Sequence, residues 1–375
     1  MDKIALYIHI PFCVSKCSYC AFCSFVPKQN EMEKYVEHLI KEIELVSKDC
    51  LKPVFSIYVG GGTPSILPSG CLKRIFDSIR NNFTILKDAS ITIEANPNSF
   101  SLHKAKEYKK CGCNRVSFGL QSADADVLKL LNRAHTYSDC VQAVNNACHV
   151  GITDINVDIL LGVPTQNFDI LKDTLEKIVT LPIMHVSAYG LIIEPKTKLA
   201  KQIGDGEVVL PSEDVAVDMY DYVVEYLKNH GFSRYEISNF AKPGYQSVHN
   251  NNYWARGQYL GLGLAAYSFI DGVHFENISD LASYFAKLDR GEDCRINFEP
   301  ETAKTAQEET IMLALRTDKG LDISAFNKKF NVDFEKKYEM VLEKLLKDSL
   351  VKIENGFLRI VDMYISNSII AEFFD

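Results

Sequence analysis

Three closely spaced cysteines, Cys13, Cys17 and Cys20, have the residue type and the spacing to hold metal. Thiolates are preferred ligands of iron–sulfur clusters and of zinc. A structural zinc site usually draws four ligands from two separated Cys-x2-4-Cys pairs, and the sequence has no distant Cys-x2-Cys pair beyond this segment. The Cys-x3-Cys-x2-Cys spacing therefore favours a four-iron cube, in which three thiolates leave one iron open, over a closed zinc site or three unrelated thiols.

Other residues that could do chemistry follow predicted strands, which is where parallel α/β sheets place their sites. They are, in chain order, the turn Gly60-Gly61-Gly62-Thr63-Pro64, then Glu94, Gln121, Arg133 and Asp158. Glycines allow a backbone to approach a ligand closely. Glu94 could accept hydrogen bonds from ribose hydroxyls, and Arg133 could pair with a carboxylate through two parallel hydrogen bonds. Each of these residues also has an ordinary structural explanation. The glycines could form a plain strand-to-helix turn, Glu94 could be a charge near the start of a helix, and Arg133 could form a surface salt bridge.

Asp158 differs from the other candidates because it lies inside an apolar run. A carboxylate within such a strand needs a partner. A ligand hydroxyl or Arg133 would supply one.

The elements that must position these residues alternate between strand and helix six times. Predicted strands cover residues 4–10, 54–59, 91–95, 115–119, 154–161 and 185–191. Predicted helices cover 31–48, 69–83, 101–111, 123–150 (broken near 133–136) and 168–179. This alternation predicts an α/β fold with a parallel sheet, a partial (β/α)6 barrel rather than a closed eight-fold one.

The pattern loosens after Pro195, beyond which a helix is predicted over 212–229. We expect three units: a partial barrel with the cluster loop (1–230), a barrel extension (231–299), and a C-terminal, mainly helical, winged-helix-like domain (300–375). In the last unit two short strands should turn on Asn355-Gly356. Winged helices often bind DNA, but packing on the barrel or docking of a protein partner is favoured here.

The composition and net charge of the chain argue against several classes of protein. The chain of 375 residues carries a net charge of −8, which argues against nucleic acid as a main partner. No apolar run reaches the ~18 residues of a membrane span, and Met1-Asp2-Lys3 leads directly into a strand, so no signal peptide is expected. The eleven cysteines are odd in number and irregular in spacing, unlike a disulfide framework. They predict a reduced, cytoplasmic location.

Together these motifs resemble the radical S-adenosylmethionine (SAM) proteins, and among them the oxygen-independent coproporphyrinogen III oxidase family. The resemblance covers essentially the whole chain. The matching stretches are residues 7–20, 60–64, 91–97, 115–121, 156–164, 241–246 and 260–263. It implies that Cys13, Cys17 and Cys20 hold a [4Fe-4S] cluster. It implies that SAM is contacted by Tyr7, Tyr19, Gly61, Gly62, Thr63, Glu94, Gln121, Arg133 and Asp158, and more loosely by Ile192 and Tyr267.

Within that family the chain is most similar to the branch of HemW-type haem chaperones. The oxidases have a fourth cysteine two residues after the third; here Phe22 stands at that position and Cys23 follows it. The oxidases also carry an N-terminal extension, whereas Cys13 comes early in this chain.

The third feature is the run His249-Asn250-Asn251-Asn252-Tyr253-Trp254, which matches the chaperones' His-Asn-x-x-Tyr-Trp motif. In that branch the histidine is associated with haem, and a neutral imidazole is a natural axial iron ligand. Tyr253 and Trp254 could pack on the macrocycle. A loop histidine bonded to a backbone carbonyl is the alternative.

The resemblance implies a carrier that binds haem near His249 and passes it to a haem-requiring acceptor protein, with the cluster and SAM gating haem binding or assembly. The alternative is an enzyme that decarboxylates the propionates of coproporphyrinogen III, and a radical enzyme acting on another tetrapyrrole is a third reading. No catalytic residue is singled out. The expected partners are haem and the acceptor, an electron donor if the protein is redox-active, and a membrane only through the acceptor. A homodimer is left open, and nucleic acid is not expected.

Overall fold

The computed structural model describes residues 2–374 and places two β-sheets in that part of the chain. The larger sheet has twelve strands in the order β12-β11-β10-β9-β1-β2-β3-β4-β5-β6-β8-β7. These strands are β1 (Ile4–Ile10), β2 (Val54–Gly61), β3 (Ile85–Ala95), β4 (Arg115–Gln121), β5 (Asp154–Leu161), β6 (His185–Gly190), β7 (Ser233–Glu236), β8 (Asn239–Ala241), β9 (Tyr259–Leu262), β10 (Tyr267–Ile270), β11 (Val273–Asn277) and β12 (Arg295–Pro300). The smaller sheet contains β13 (Leu321–Asp322), β14 (Val351–Glu354) and β15 (Phe357–Ile360).

Helices connect and cover these strands. They are α1 (Glu31–Val46), α2 (Cys71–Asn82), α3 (Leu102–Lys110), α4 (Ala125–Leu130), α5 (Tyr137–His149), α6 (Phe168–Val179), α7 (Lys198–Gly204), α8 (Glu213–Asn229), α9 (Val248–Trp254), α10 (Leu281–Asp289), α11 (Ala303–Ala314), α12 (Ile323–Phe330), α13 (Phe334–Lys337), α14 (Glu339–Lys347) and α15 (Ser366–Ala371). Short 3-10 turns lie at Ser47–Asp49, Pro64–Ile66 and Pro97–Ser99.

The predicted partial barrel is confirmed. Strands β1 to β6 pair in parallel in chain order, and the helices between them pack on the apolar core. Ile4, Leu6, Ile8 and Ile10 on one face of β1 are fully buried, and Ala5 and His9 on the other face are buried too, as expected for a strand covered on both faces. The order of the sheet is open, because β1 pairs with β2 and β9 rather than with β6.

The second half of the chain contributes more strands than the sequence pattern revealed. β9 lies parallel to β1, and β10 to β12 extend that edge as antiparallel strands. β8 and β7 extend the opposite edge. These strands have three to six residues each. Such short segments carry too few repeats for a period of two to be recognised.

The C-terminal domain has its own apolar core, in which the helices α11 to α15 pack around the small sheet. The predicted hairpin on Asn355-Gly356 is present, and both residues have positive φ, 54° and 81°, as a two-residue hairpin turn requires. The strand β13, which the sequence pattern did not indicate, completes the sheet. The expected unit boundaries at 230 and 299 stay predictions.

The C-terminal domain packs against the barrel extension through backbone and side-chain bonds. Ile237 N–H donates to the Arg316 carbonyl (2.9 Å), and Asp318 N–H donates to the Tyr235 carbonyl (3.1 Å). The guanidinium of Arg234 pairs with the Asp318 carboxylate at 2.9 Å. Long-range backbone bonds of this kind fix the domain relative to β7.

None of the helices described in residues 2–374 combines the length and apolar character needed to cross a bilayer.

Candidate functional site

The loop after β1 carries the three predicted cluster ligands. Backbone bonds close it on itself: Cys13 N–H donates to the Phe25 carbonyl (3.0 Å), and Phe25 N–H donates to the Pro11 carbonyl (2.9 Å). The ammonium of Lys16 donates to the Phe22 carbonyl (2.8 Å). The loop is thereby ordered without disulfides, and all three predicted ligands keep partly exposed thiols.

The thiols of the loop lie next to a cation and a hydroxyl. Arg133 Nη1 donates to Cys17 Sγ (3.4 Å), and Thr63 Oγ1 donates to Cys13 Sγ (3.5 Å). Burial raises the pKa of the Cys13 thiol, and the nearby Cys17 and Cys20 thiols raise it further, so the three sulfur atoms share one environment. Thiolate is the ligating form, and the Arg133 guanidinium lies beside the sulfur atom of Cys17.

Within residues 2–374 no three His, Cys, Asp or Glu side chains meet around a point that would suit one metal ion. In an iron–sulfur cube the thiolates bind separate irons. Ligands of a cube therefore need not converge on one point. Three partly exposed thiols on one ordered loop, bordered by Arg133, fit thiolate ligation of such a cube.

A second group of residues surrounds Glu94 at the end of β3. Tyr58 O–H donates to Glu94 Oε1 (2.8 Å), and Gly61 N–H donates to Oε2 (3.2 Å). Burial raises the pKa of Glu94 to about 7, and the charge of Asp158 adds to this rise against the two hydrogen bonds. The carboxyl group is thus held rigidly and changes protonation near neutral pH.

The glycine turn after β2 packs directly on the cluster loop. Gly62 N–H donates to the Ile10 carbonyl and Thr63 N–H to the Phe12 carbonyl, both at 2.7 Å. A Cβ atom at Gly62 would lie 2.6 Å from the Phe12 carbonyl oxygen, a distance that only glycine tolerates. The turn and the cluster loop can therefore present their backbones side by side.

Asp158 and Arg133 complete this group. Asp158 accepts hydrogen bonds from Asn156 Nδ2 (2.7 Å) and Ser117 Oγ (3.2 Å), while burial raises its pKa. Arg133 Nη2 donates to Asn96 Oδ1 (2.8 Å) and to the Gly119 carbonyl (2.6 Å). The partners of Asp158 are therefore the Asn156 amide and the Ser117 hydroxyl. Among the described residues, Asp158 and Arg133 do not form the direct ion pair that the sequence suggested as one possibility.

Gln121 lies at an irregularity between β4 and β5, where the register shifts between Gly119 and Gln121. Its φ of 71° is unusual for a side chain larger than glycine's. A Cβ atom at Gly119 would lie 2.9 Å from Gln121 Nε2 and 3.0 Å from Arg133 Nη2. The bulge and the small residue thus bring the Gln121 and Arg133 side chains over the same strand.

Tyr7 and Tyr19 lie at the edge of the group, and both are partly buried. Tyr7 O–H donates to His9 Nδ1 (3.0 Å), and its ring stacks on Tyr58 with centroids 6.3 Å apart. Burial raises the pKa of Tyr19, against the nearby charge of Arg133. The two loosely matched residues differ from the rest: Ile192 is 72% exposed and Tyr267 is 62% exposed, so the structure does not pack them into this group.

The donor set fits SAM. Glu94 and Asp158 place two carboxyl groups within interaction range of each other. SAM carries a sulfonium, an ammonium and two ribose hydroxyls, all of which interact favourably with carboxylates. Glu94 and Asp158 would accept hydrogen bonds from such a ligand, and Arg133 would face its carboxylate.

His249 lies on α9, on the side of that helix that faces the barrel, and is 1% exposed. Its Nδ1 is 3.0 Å from Ser56 Oγ, its Nε2 is 3.0 Å from the Tyr253 hydroxyl, and its ring packs on Tyr58 with centroids 5.1 Å apart. Burial lowers its pKa to about 3, so the imidazole is neutral. Iron could bind it only in exchange for one of these two partners.

The side chain of Trp254 lies away from that of His249. It lines a cavity on the other side of α9, next to Asn251 and Ala255. Tyr253 instead bonds to His249 itself. The expectation that one macrocycle contacts His249, Tyr253 and Trp254 together is therefore not met in this conformation, because residues i and i+5 of a helix point to different faces.

A chain of hydrogen bonds connects Asp158 with the start of α9. Ser247 N–H donates to the Tyr235 hydroxyl (3.2 Å), which lies 2.8 Å from His185 Nε2. His185 Nδ1 lies 2.5 Å from Asn156 Oδ1, and Asn156 donates to Asp158. Burial lowers the pKa of His185 well below its ordinary value. The neutral ring protonated on Nδ1 satisfies every partner in this chain.

Sequence reasoning missed three contributors to the site: His9, Tyr58 and Asn156. His9 Nε2 donates to the Cys23 carbonyl (2.8 Å), tying the far end of the cluster loop to β1. His9 and Asn156 each lie two residues from a predicted site residue on the same strand. The alternation of strand side chains would have indicated them, because residues i and i+2 share a face.

Comparisons with known proteins agree with this architecture. The family described as the "Radical SAM superfamily" matches residues 7–178, and the "HemN C-terminal domain" matches residues 302–362. The chain is also similar to a solved structure, the coproporphyrinogen III oxidase HemN of Escherichia coli, with a TM-score of 0.88 and 24% identity over 99% of this chain and 90% of that one. That likeness confirms the fold, with its parallel-rich sheet and C-terminal helical domain.

Several curated proteins have a higher sequence identity to this chain than that solved structure has. The heme chaperone HemW of Lactococcus lactis is 32% identical over 356 residues, 95% of this chain and 93% of the relative. The heme chaperone HemW of Bacillus subtilis is 33% identical over 92% of each chain. The heme chaperone HemW of Escherichia coli is 36% identical over 277 residues, 72% of each chain.

Proposed function

This chain belongs to the HemW family of haem chaperones, and on that premise we propose that it binds haem and transfers it to an acceptor protein that requires haem. The observation that carries the proposal is the similarity to a HemW relative over 95% of the chain. A location in the cytoplasm is part of the proposal.

In this proposal the scaffold of a radical SAM protein is retained around its cofactors. Cys13, Cys17 and Cys20 would hold a [4Fe-4S] cluster, and the group around Glu94 and Asp158 would hold SAM. Together these cofactors supply one-electron radical chemistry when they are bound. The chain's own residues orient the ligand: the glycine turn presents backbone groups, and the carboxylates accept its hydroxyl and ammonium hydrogens.

The chain of hydrogen bonds from Asp158 to Ser247 supports a link between SAM and haem. A ligand that bonds to Asp158 competes with Asn156 for the carboxylate oxygens, and Asn156 is bonded through His185 and Tyr235 to the first turn of α9. Occupancy of the SAM site would therefore bias the position of the helix that carries His249, provided that the ligand binds the two arrangements with different affinity.

A second candidate function is supported by one observation. Thr63, Glu94, Gln121 and Asp158, together with Arg133 beside Cys17, form a group suited to SAM, which a carrier alone would not need. This favours a radical enzyme that acts on a tetrapyrrole, for example one that decarboxylates the propionates of coproporphyrinogen III.

An anaerobic turnover assay distinguishes the two functions. The reconstituted protein is given a reductant, SAM and coproporphyrinogen III, and the tetrapyrrole mass is followed; in parallel, the haem-loaded protein is mixed with an apo-haem protein. We expect no loss of carboxyl groups and transfer of haem to the acceptor. Repeated turnover with loss of two carboxyl groups, in protein whose cluster content is confirmed spectroscopically, would instead establish the enzyme.

Replacing His249 with alanine should weaken haem binding and change the Soret band, because an axial imidazole would be lost, while the iron–sulfur content stays unchanged. The measurement is a haem titration followed by absorption spectroscopy. His230→Ala is the control, since that histidine is exposed at the end of α8. A Soret band and an affinity equal to those of the unaltered protein would exclude His249 from the haem site.

A further inference from the structure

A cavity of about 740 Å³ opens between α9 and the C-terminal domain. Its volume lies within the ~300–1,000 Å³ typical of small-molecule sites. Trp254 and Ala255 line one side, and Leu321, Ala325 and Phe326 line the other. The cavity thus borders the side of α9 away from His249, and its walls come from two domains.

The apolar part of this cavity presents an aromatic ring, that of Trp254 at the end of α9. Opposite it, Phe326 is 2% exposed and belongs to the core of the C-terminal domain. A flat apolar ligand would find one aromatic wall and one aliphatic and aromatic wall.

The cavity is lined by four cations and by the carboxylates of Asp318 and Asp322. Two of its cations are already neutralised: Arg234 pairs with Asp318 (2.9 Å), and Arg256 pairs with Glu309 (2.5 Å) and Glu301. The other two, Lys319 and Lys329, have no ion-pair partner within the described residues 2–374. Burial lowers the pKa of Lys329, and Arg256 lowers it further while Glu309 raises it, so a ligand carboxylate bonded to Lys329 would favour its charged form.

We propose that this cavity is a capture site for the haem macrocycle, with the ring against Trp254 and the two propionates at Lys319 and Lys329. The assignment rests on the proposed haem-carrier function and adds a binding site to it. Two unpaired ammonium groups beside an aromatic wall match a planar ligand with two carboxylates on one edge. Ring stacking and carboxylate pairing together would give the site its selectivity.

The cavity recognises the ring and its carboxylates rather than the iron. No His, Cys or Met occurs among the described residues that line it. The hydroxyl of Tyr235, which does line it, is bonded to His185 and to Ser247 N–H. Iron-free protoporphyrin IX should therefore bind the cavity about as well as haem does. Ligation by His249 would be a separate step that requires α9 to move.

The test uses the full-length protein and two probes, haem and protoporphyrin IX. Lys329→Glu should weaken the binding of both probes about tenfold or more, because a charge-assisted bond becomes a repulsion. Lys328→Glu is the matched control: it is the preceding residue on α12, it is exposed, and it does not line the cavity, so it should change either affinity less than about twofold.

A second pair of variants tests the space itself. Ala325→Trp fills the cavity from α12, and Ser324→Trp places the same ring on the adjacent exposed position outside it. Ala325→Trp should abolish protoporphyrin binding, whereas Ser324→Trp should leave it unchanged. Circular dichroism and the melting temperature of each variant show whether its fold is intact.

The outcomes separate the two proposals. If the unaltered protein binds haem but not protoporphyrin IX, or if Lys329→Glu and Ala325→Trp bind protoporphyrin as their controls do, the capture site is refuted and the carrier function stands. If the unaltered protein binds neither probe, the carrier function itself fails. Selective loss in both test variants supports the capture site.

Discussion

Replacing Cys17 with serine should remove the iron–sulfur cluster altogether. Two remaining thiolates cannot hold a four-iron cube in place, and a serine hydroxyl is a poor substitute at neutral pH because it stays protonated. The variant also loses the bond that Arg133 Nη1 makes to Cys17 Sγ. Iron and sulfide analysis and the visible absorption of anaerobically reconstituted protein would fall to background. We expect the largest effect of any single substitution in this chain at the three cluster cysteines.

Cys23→Ser is the matched control for that experiment. Cys23 lies in the same loop with a partly exposed thiol, but it is its backbone carbonyl that accepts the bond from His9 (2.8 Å). Serine preserves that bond, so the iron content should equal that of the unaltered protein. Equal loss of iron in Cys17→Ser and Cys23→Ser would show that the fourth cysteine, rather than only the first three, is needed. Full retention in Cys17→Ser would refute the ligand assignment.

Replacing Glu94 with glutamine should weaken SAM binding about 10- to 100-fold at pH 8, which corresponds to the loss of a charged acceptor of two hydrogen bonds. In the unaltered protein the pKa of Glu94 is raised to about 7. Below that pH the carboxyl group is protonated and accepts ribose hydroxyls less well. Affinity should therefore rise with pH, about tenfold between pH 6 and pH 8, and the glutamine variant should lose the part of this dependence that Glu94 contributes.

Glu107→Gln is the control, because Glu107 is also a buried carboxylate that accepts a glycine N–H, that of Gly70 at 2.8 Å. It pairs with Lys104 on α3 and is not part of the site. Isothermal titration of SAM into both variants across pH 6 to 8 measures the effect. A pH profile of Glu94→Gln identical to that of the unaltered protein would show that another group, such as Asp158, titrates on binding.

The sequence predicted where the cysteine loop and the glycine turn lie because this information is local. The three cysteines lie within eight residues, and the glycine turn directly follows a strand. Parallel strands bring their carboxyl ends to one edge. Glu94, Arg133 and Asp158 therefore had to lie near each other once the alternation of strand and helix was recognised.

The surroundings of α9, the helix that carries His249 and Trp254, could not be predicted from neighbouring residues in the sequence. The seven residues of α9 place His249 towards Ser56 on β2 and Trp254 towards the C-terminal domain. Which neighbour each face meets depends on a sheet edge and a domain that are distant in the chain. The short strands β7 to β12, which build that edge, carry too little periodicity to be predicted.

The sequence alone therefore determined the partial barrel, the loop with its three cysteines and the grouping of Glu94 and Asp158 at one edge of the sheet, because spacing and alternation are properties of neighbouring residues. Only the tertiary structure decided that His249 is enclosed between Ser56 and Tyr253, that Asp158 connects through His185 to α9, and that Trp254, Lys319 and Lys329 line one cavity. These features join segments separated by tens of residues, and their contacts follow from how the sheet and the C-terminal domain pack, which no local pattern encodes.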